Sequence, residues 1–289
     1  MEDAPRRLAA LTAALSKRRS TLETLLAGAA GPPAGERLHA VRVALRRTVS
    51  LARLTRDVPT KDSGEALRRA ARDLRRALGT RRMHEVAVAI LRARFRRDAR
   101  RRAAAERLAA RLERDMVEAA PPQRLGTLLS SLRQEFAARD AAIAGLGSPL
   151  GAAGAGERLE RRLEKQIRLR LRKRARRLLS RGVPGEGSLH AARIDARDLR
   201  YGLEFARLTG SSRLLPLLER FQETAGRAHD RAELIALVRR AAGGLPAARR
   251  RESLRLLPPL LADAERALLA AQASARALLS ALTTAVGRW

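Results

Sequence analysis

The segment Leu38-His39-Ala40-Val41-Arg42 returns as Leu189-His190-Ala191-Ala192-Arg193, and both copies run on into a helical pattern rich in arginine. A chain holding only four histidines that places two of them in the same context 151 residues apart is built from two similar halves. The spacing of apolar residues around the copies is three and four, which is helical. Alanine and leucine make up most of the apolar fraction, aromatics contribute only 2%, and no segment alternates with period two. The expected fold is all-α, with two helical bundles of about four helices each, related by pseudo-twofold symmetry within a single domain spanning residues 1–289.

The stretch from Gly145 to Gly156 is dominated by glycine, alanine and proline and divides an N-terminal half (1–144) from a C-terminal half (157–289). Each half opens with a long amphipathic helix, about 5 to 27 and then 157 to 181. A glycine- and proline-rich loop follows, and then the helix led by histidine, about 36 to 57 and then 187 to 208. The next helix is expected to end at Gly79 in the first half and at Gly226 in the second, with further breaks at Pro121-Pro122 and Pro258-Pro259.

At about 100° per residue, His39, Arg42 and Arg46 fall within about 60° of one another, with Arg53 on the same stripe. Leu38, Val41, Leu45, Thr48 and Ala52 form the adjoining apolar stripe. The second copy sets His190, Arg193, Arg197 and Arg200 beside Leu189, Ala192, Ala196, Leu199 and Leu203. Both basic stripes thus flank a core seam and are expected to line a groove between packed helices. The helix at 157–181 adds Lys165, Arg168 and Arg172 to the candidate cations, outside its seam of Leu159, Leu163, Ile167 and Leu171.

The formal charge of +31, from 61 basic and 30 acidic residues, points to a polyanionic partner. Only Lys17, Lys61, Lys165 and Lys173 are lysines, and the guanidinium fork of arginine matches phosphate oxygens two at a time. Without cysteine there is no disulfide, thiolate nucleophile or cysteine-ligated zinc. No secretory signal pattern opens the chain, and the apolar run 267–286 is interrupted by Gln272 and Arg276, so the expected location is the cytoplasm, away from membranes. Phe95, Phe136, Phe205, Phe221, Tyr201 and Trp289 are scattered, which disfavours single-stranded nucleic acid. Duplex DNA stays open as an alternative polyanion, since phosphate contacts dominate its affinity. His229-Asp230 is a lone candidate for acid–base chemistry without a second acid or a metal site, so no catalytic residue, metal or cofactor is expected.

In combination these motifs resemble the CHAD family, the conserved-histidine α-helical domain. His39, Arg42, Arg46 and Arg47 fit its first motif. His190, Arg193, Arg197, Leu199, Arg200, Tyr201 and Glu204 fit its second, and Gly226, His229 and Asp230 fit a later one. After Gly79 the corresponding run reads Arg82-Met83-His84-Glu85-Val86, with Met83 where the family has an acid, and Asp198 stands opposite Arg47 where a basic residue is common. His84 has no counterpart in the second half and is read as structural. The resemblance implies two helical bundles, a basic central surface that binds inorganic polyphosphate, and an association with polyphosphate granules and their components in bacteria and archaea. With His229-Asp230 standing alone, a phosphohydrolase is the less favoured alternative. If His39 and His190 touch phosphate, affinity is expected to rise as pH falls from about 8 to about 6.

Overall fold

In the computed structural model the stripe Leu38, Val41, Leu45, Thr48 and Ala52 is fully buried, and its counterpart Leu189, Ala192, Ala196, Leu199 and Leu203 is buried as well. The structure describes residues 7–27, 33–58, 61–119, 121–145, 155–181, 186–206, 211–244 and 247–287. Among these are nine α-helices and a short 3-10 turn at Ser211–Arg213, with no strand. The first half supplies α1 (Arg7–Leu26), α2 (Gly35–Leu54), α3 (Lys61–Phe95), α4 (Ala99–Ala119) and α5 (Pro122–Ala144). The second supplies α6 (Ala155–Leu179), α7 (Glu186–Ala206), α8 (Leu214–Gly243) and α9 (Ala247–Gly287).

The expected count of about four helices per half meets five and four, because α9 does the work of α4 and α5 together. At Pro121-Pro122 the first half breaks as its sequence suggests. At Pro258-Pro259 the second half does not: α9 continues through both prolines as a rod of roughly 60 Å. Proline there removes two amide donors from the helix, a loss offset by the packing of α9 along α8, the most extensive interhelical contact in the fold.

The glycines at 79 and 226 also lie inside helices instead of ending them. One helical glycine costs only about 1 kcal/mol relative to alanine, less than tertiary packing returns to helices of this length. Most of the glycine-rich stretch between the halves lies outside the described residues; α5 ends at Ala144 and α6 begins at Ala155.

Across the two halves, like packs against like: α1 with α6, α2 with α7, α3 with α8, and α4 with α9. That pattern is what a pseudo-twofold axis produces. One large core joins α1, α2, α5 and the first part of α3 to α6, α7, the first part of α8 and the last part of α9. A second, smaller core at the far end joins the rest of α3 with α4, the rest of α8 and Leu261 of α9. The halves therefore share their apolar interior. Polar ties reinforce it. Glu160 of α6 accepts the free amide of Leu8 at the start of α1 (2.9 Å), where a negative charge suits the helix dipole. Arg139 of α5, fully buried, donates to the carbonyl of Thr55 (2.8 Å) and to its hydroxyl (2.9 Å) at the end of α2.

Candidate anion-binding basin

Where α2 meets α7 and α3 meets α8, an open basin of about 750 Å3 lies on the pseudo-twofold relation. His39, Arg42 and Arg46 enter it from α2, and Arg193, Arg197, Arg200 and Tyr201 from α7. Arg75 and Arg82 reach it from α3, His229 and Asp230 from α8. Among the described residues ten arginines line it against four carboxylates, so the positive charge is not neutralised within the lining. Beneath each leading arginine runs a helical glycine: a methyl on Gly79 would sit 3.9 Å from an Arg42 guanidinium nitrogen, and one on Gly226 would sit 4.0 Å from that of Arg193. The guanidiniums of Arg42 and Arg193 thus occupy matching places over the backbone of α3 and α8.

Among the described residues Arg42, Arg75 and Arg193 form no ion pair, and the buried Nε atoms of Arg42 and Arg193 have no hydrogen-bond partner. Burial, and then the neighbouring guanidiniums, depress all three from the ordinary arginine range to about 10. They stay charged at neutral pH, but in surroundings that disfavour the charge. Burial also pushes His39, His190 and His229 below the usual imidazole value, helped by Arg46 and Arg82 at His39 and by Arg193 at the other two. The carboxylates present serve arginines: Arg200 donates to Glu219 at 2.9 Å, and the charge of Asp230 favours the charged forms of Arg42, Arg46 and Arg193. Met83, opposite Asp230 in the repeat, also lines the basin and brings no matching charge. Among the described residues no group of three or more His, Asp or Glu is placed to hold a metal ion.

Of the residues singled out in the sequence, His39, Arg42, Arg46, Arg82, Arg193, Arg197, Arg200, Tyr201 and His229 meet in this basin. His190 sits beside it, its ring centroid 4.9 Å from that of His229. Arg47 and Arg53 do not line it. Arg47 turns toward α1, pairing with Glu204 at 3.8 Å and lying 5.5 Å over the Tyr201 ring, while Arg53 turns toward α6 and pairs with Asp198. Lys165, Arg168 and Arg172 are exposed on α6 and line no part of the basin; Arg168 pairs with Glu164 at 2.8 Å. Of the seam on that helix, Leu163, Ile167 and Leu171 are buried. His84 is buried at the basin edge, its Nδ1 2.8 Å from the Thr80 carbonyl one turn back.

Sequence reasoning missed Arg75. With a helix expected to stop at Gly79, nothing linked position 75 to the glycine; with α3 continuous, residues 75, 79 and 82 fall on one stripe by helical spacing. Arg76, Arg227 and Arg240 join the lining for the same reason, from helices whose course through the glycines was not expected.

A family model described as the CHAD domain matches residues 9–239 of the chain. The chain belongs to the CHAD domain family. Two solved structures share its fold. A CHAD domain from the plant Ricinus communis superposes with a TM-score of 0.62 at 24% identity, over 99% of this chain and 93% of that one. PptA from Streptomyces chartreusis superposes with a TM-score of 0.57 at 20% identity, over 94% of this chain and 98% of that one. No curated protein matches this CHAD chain in sequence. No described helix is long and apolar enough to cross a membrane.

Proposed function

We propose that this CHAD protein binds inorganic polyphosphate in the basin between α2, α3, α7 and α8, without chemistry on the polymer, as a component of polyphosphate granules in the cytoplasm. The observation that carries the reading is the set of unpaired, half-buried guanidiniums of Arg42, Arg75 and Arg193, converging from both halves. Such a cluster is unfavourable while empty and gains charge-assisted hydrogen bonds when phosphate oxygens enter. Polyphosphate fits because it supplies closely spaced charges and needs nothing else. Among the described residues Tyr201 is the one aromatic side chain besides histidine on the basin wall, and Arg47 and Arg200 already lie over its ring, at 5.5 and 5.1 Å. Phe95, Phe136 and Phe221 are buried in the cores. A base therefore finds no free stacking platform, whereas proteins for single-stranded nucleic acid commonly provide one.

The test is a competition at physiological salt between long-chain polyphosphate and duplex DNA at equal charge concentration. The proposal expects polyphosphate to displace DNA; preferential retention of DNA would overturn it in favour of a DNA-binding role.

A further inference from the structure

Two further grooves occupy equivalent places in the two halves, one beside α6 and one beside α1. The repeat shows the equivalence: Asp198, Ser50, Arg53 and Leu54 line the first, and their counterparts 151 residues away, Arg47, Tyr201, Glu204 and Phe205, line the second. The flanking helices correspond as well, with buried Leu11, Leu15 and Leu22 of α1 matching buried Ile167, Leu171 and Leu178 of α6.

The chemistry of the two has diverged. Beside α1 the wall is largely apolar, with alanines, Leu51, Tyr201 and Phe205, and Arg47 there is already engaged by Glu204 and by the Tyr201 ring. Beside α6 a groove of about 380 Å3 carries seven cations among the described residues, five of them ion-paired: Arg53 and Arg174 with Asp198, Arg68 with Glu65, and Arg56 and Arg170 with Asp57. Lys173 and Arg177 line it, exposed, one helical turn apart, and neither forms an ion pair among the described residues. Like charges at that spacing repel, so the pair weakens α6 unless an anion lies between them. In the first half the matching positions are Lys17 and Thr21, and the pair is lost.

The α6 groove adjoins the basin through one carboxylate. Asp198, nearly fully buried, accepts from Arg197 of the basin on Oδ1 at 3.0 Å, while its Oδ2 faces Arg53 and Arg174 of the groove, the latter at 3.4 Å. Basin and groove therefore meet at one shared carboxylate, with Arg197 on the basin side and Arg53 and Arg174 on the groove side, and the first half places Arg47 at the position of Asp198.

We propose that the groove between α2, α3 and α6 is a second anion subsite, continuous with the basin across Asp198, which takes the run-on of a polyphosphate chain too long for the basin alone. The inference rests on the basin being the polyphosphate site, and it adds a direction and a chain-length preference: the polymer leaves toward α6 and not toward α1.

The experiment measures affinity for inorganic tripolyphosphate and for long-chain polyphosphate in the full chain, in Lys173→Ala/Arg177→Ala, and in Arg161→Ala/Arg162→Ala, which removes the same charge from the exposed part of α6 outside the groove. The groove variant is expected to lose on the order of tenfold to a hundredfold in affinity for the long chain, about tenfold per phosphate contact, while tripolyphosphate binding and the Arg161/Arg162 variant stay near the parent. Equal losses for both ligands, or long-chain losses no greater than in the Arg161/Arg162 variant, would overturn the second subsite while leaving the basin standing. Failure of the parent chain to bind either ligand would instead overturn the basin reading, and the groove with it.

Discussion

Arg75 shows most sharply how a single residue can be set against stability in favour of binding. It lies among Arg46, Arg76 and Arg197 with no carboxylate partner among the described residues, and burial and those neighbours bring it to about 10. Its charged form is thus less favoured in the folded protein than in the unfolded chain, and at neutral pH that difference subtracts from stability. Arg75→Met is expected to raise the stability of the free protein by about 1 kcal/mol after allowance for solvent screening, and to weaken tripolyphosphate binding about tenfold. Thermal denaturation with and without tripolyphosphate reads both effects; a variant that loses stability in the free state would contradict the account. The leading residues Arg42 and Arg193 were legible from the repeated His-x-x-Arg alone, because position on a helix wheel decides which way they face. Arg53 shared their stripe on the wheel but not their destination. It lies two to three turns further along α2, and by then Asp198 offers a buried carboxylate that draws it toward α6. That partner is remote in sequence, so no local pattern announced it.

Among the elements, α3 and α8 differ most from what their residues suggested. A glycine in a helical pattern reads as a stop, yet both helices pass through theirs and carry Arg82 and His229 into the basin as a result. A different glycine is needed for packing. At Gly64 a methyl would overlap the Arg56 carbonyl and the guanidinium of Arg139, where the start of α3 crosses the end of α2. Backbone cannot yield as a side-chain tip can, so Gly64→Ala is expected to destabilise by about 1 to 3 kcal/mol. Gly79→Ala, with only ordinary contact to Arg42, should not. Chemical denaturation of the two variants checks the contrast, and equal effects would mean that the α2/α3 crossing is looser than described. Helix identity and the buried stripes of α2 and α7 were legible because amphipathic spacing is local. The continuity of α9 through Pro258-Pro259 was not, because it depends on α8 lying alongside.

For the whole molecule, the two halves press their basic faces together, and the cost of that arrangement varies with pH. His39, His190 and His229 all have values below the usual imidazole one, so the folded protein holds their protons less readily than the unfolded chain does. Stability from these groups is therefore fully present above the unfolded value of about 6.5 and is lost as pH falls through the folded values below it. The free protein should melt at lower temperature as pH drops from about 7.5 to about 5.5, while polyphosphate, which favours the charged imidazoles, should bind more tightly over the same interval. Because the free histidines start low, that gain in affinity continues below about pH 6.5 instead of levelling off near 6.5. Calorimetry across the interval measures both, and a melting temperature that rises on acidification would contradict the lowered values of these imidazoles. The claim on which all of this depends is that a converging basin, and not the charge of +31 spread over the surface, holds the polymer. Its most direct test compares long-chain polyphosphate affinity in Arg42→Glu/Arg193→Glu with that in Arg161→Glu/Arg266→Glu, two variants of identical net charge. Arg161 and Arg266 are largely exposed, with side chains 72% and 71% accessible. The account predicts a loss on the order of a hundredfold or more for the basin pair and only a small loss for the surface pair, whereas equal losses would show that net charge alone does the binding.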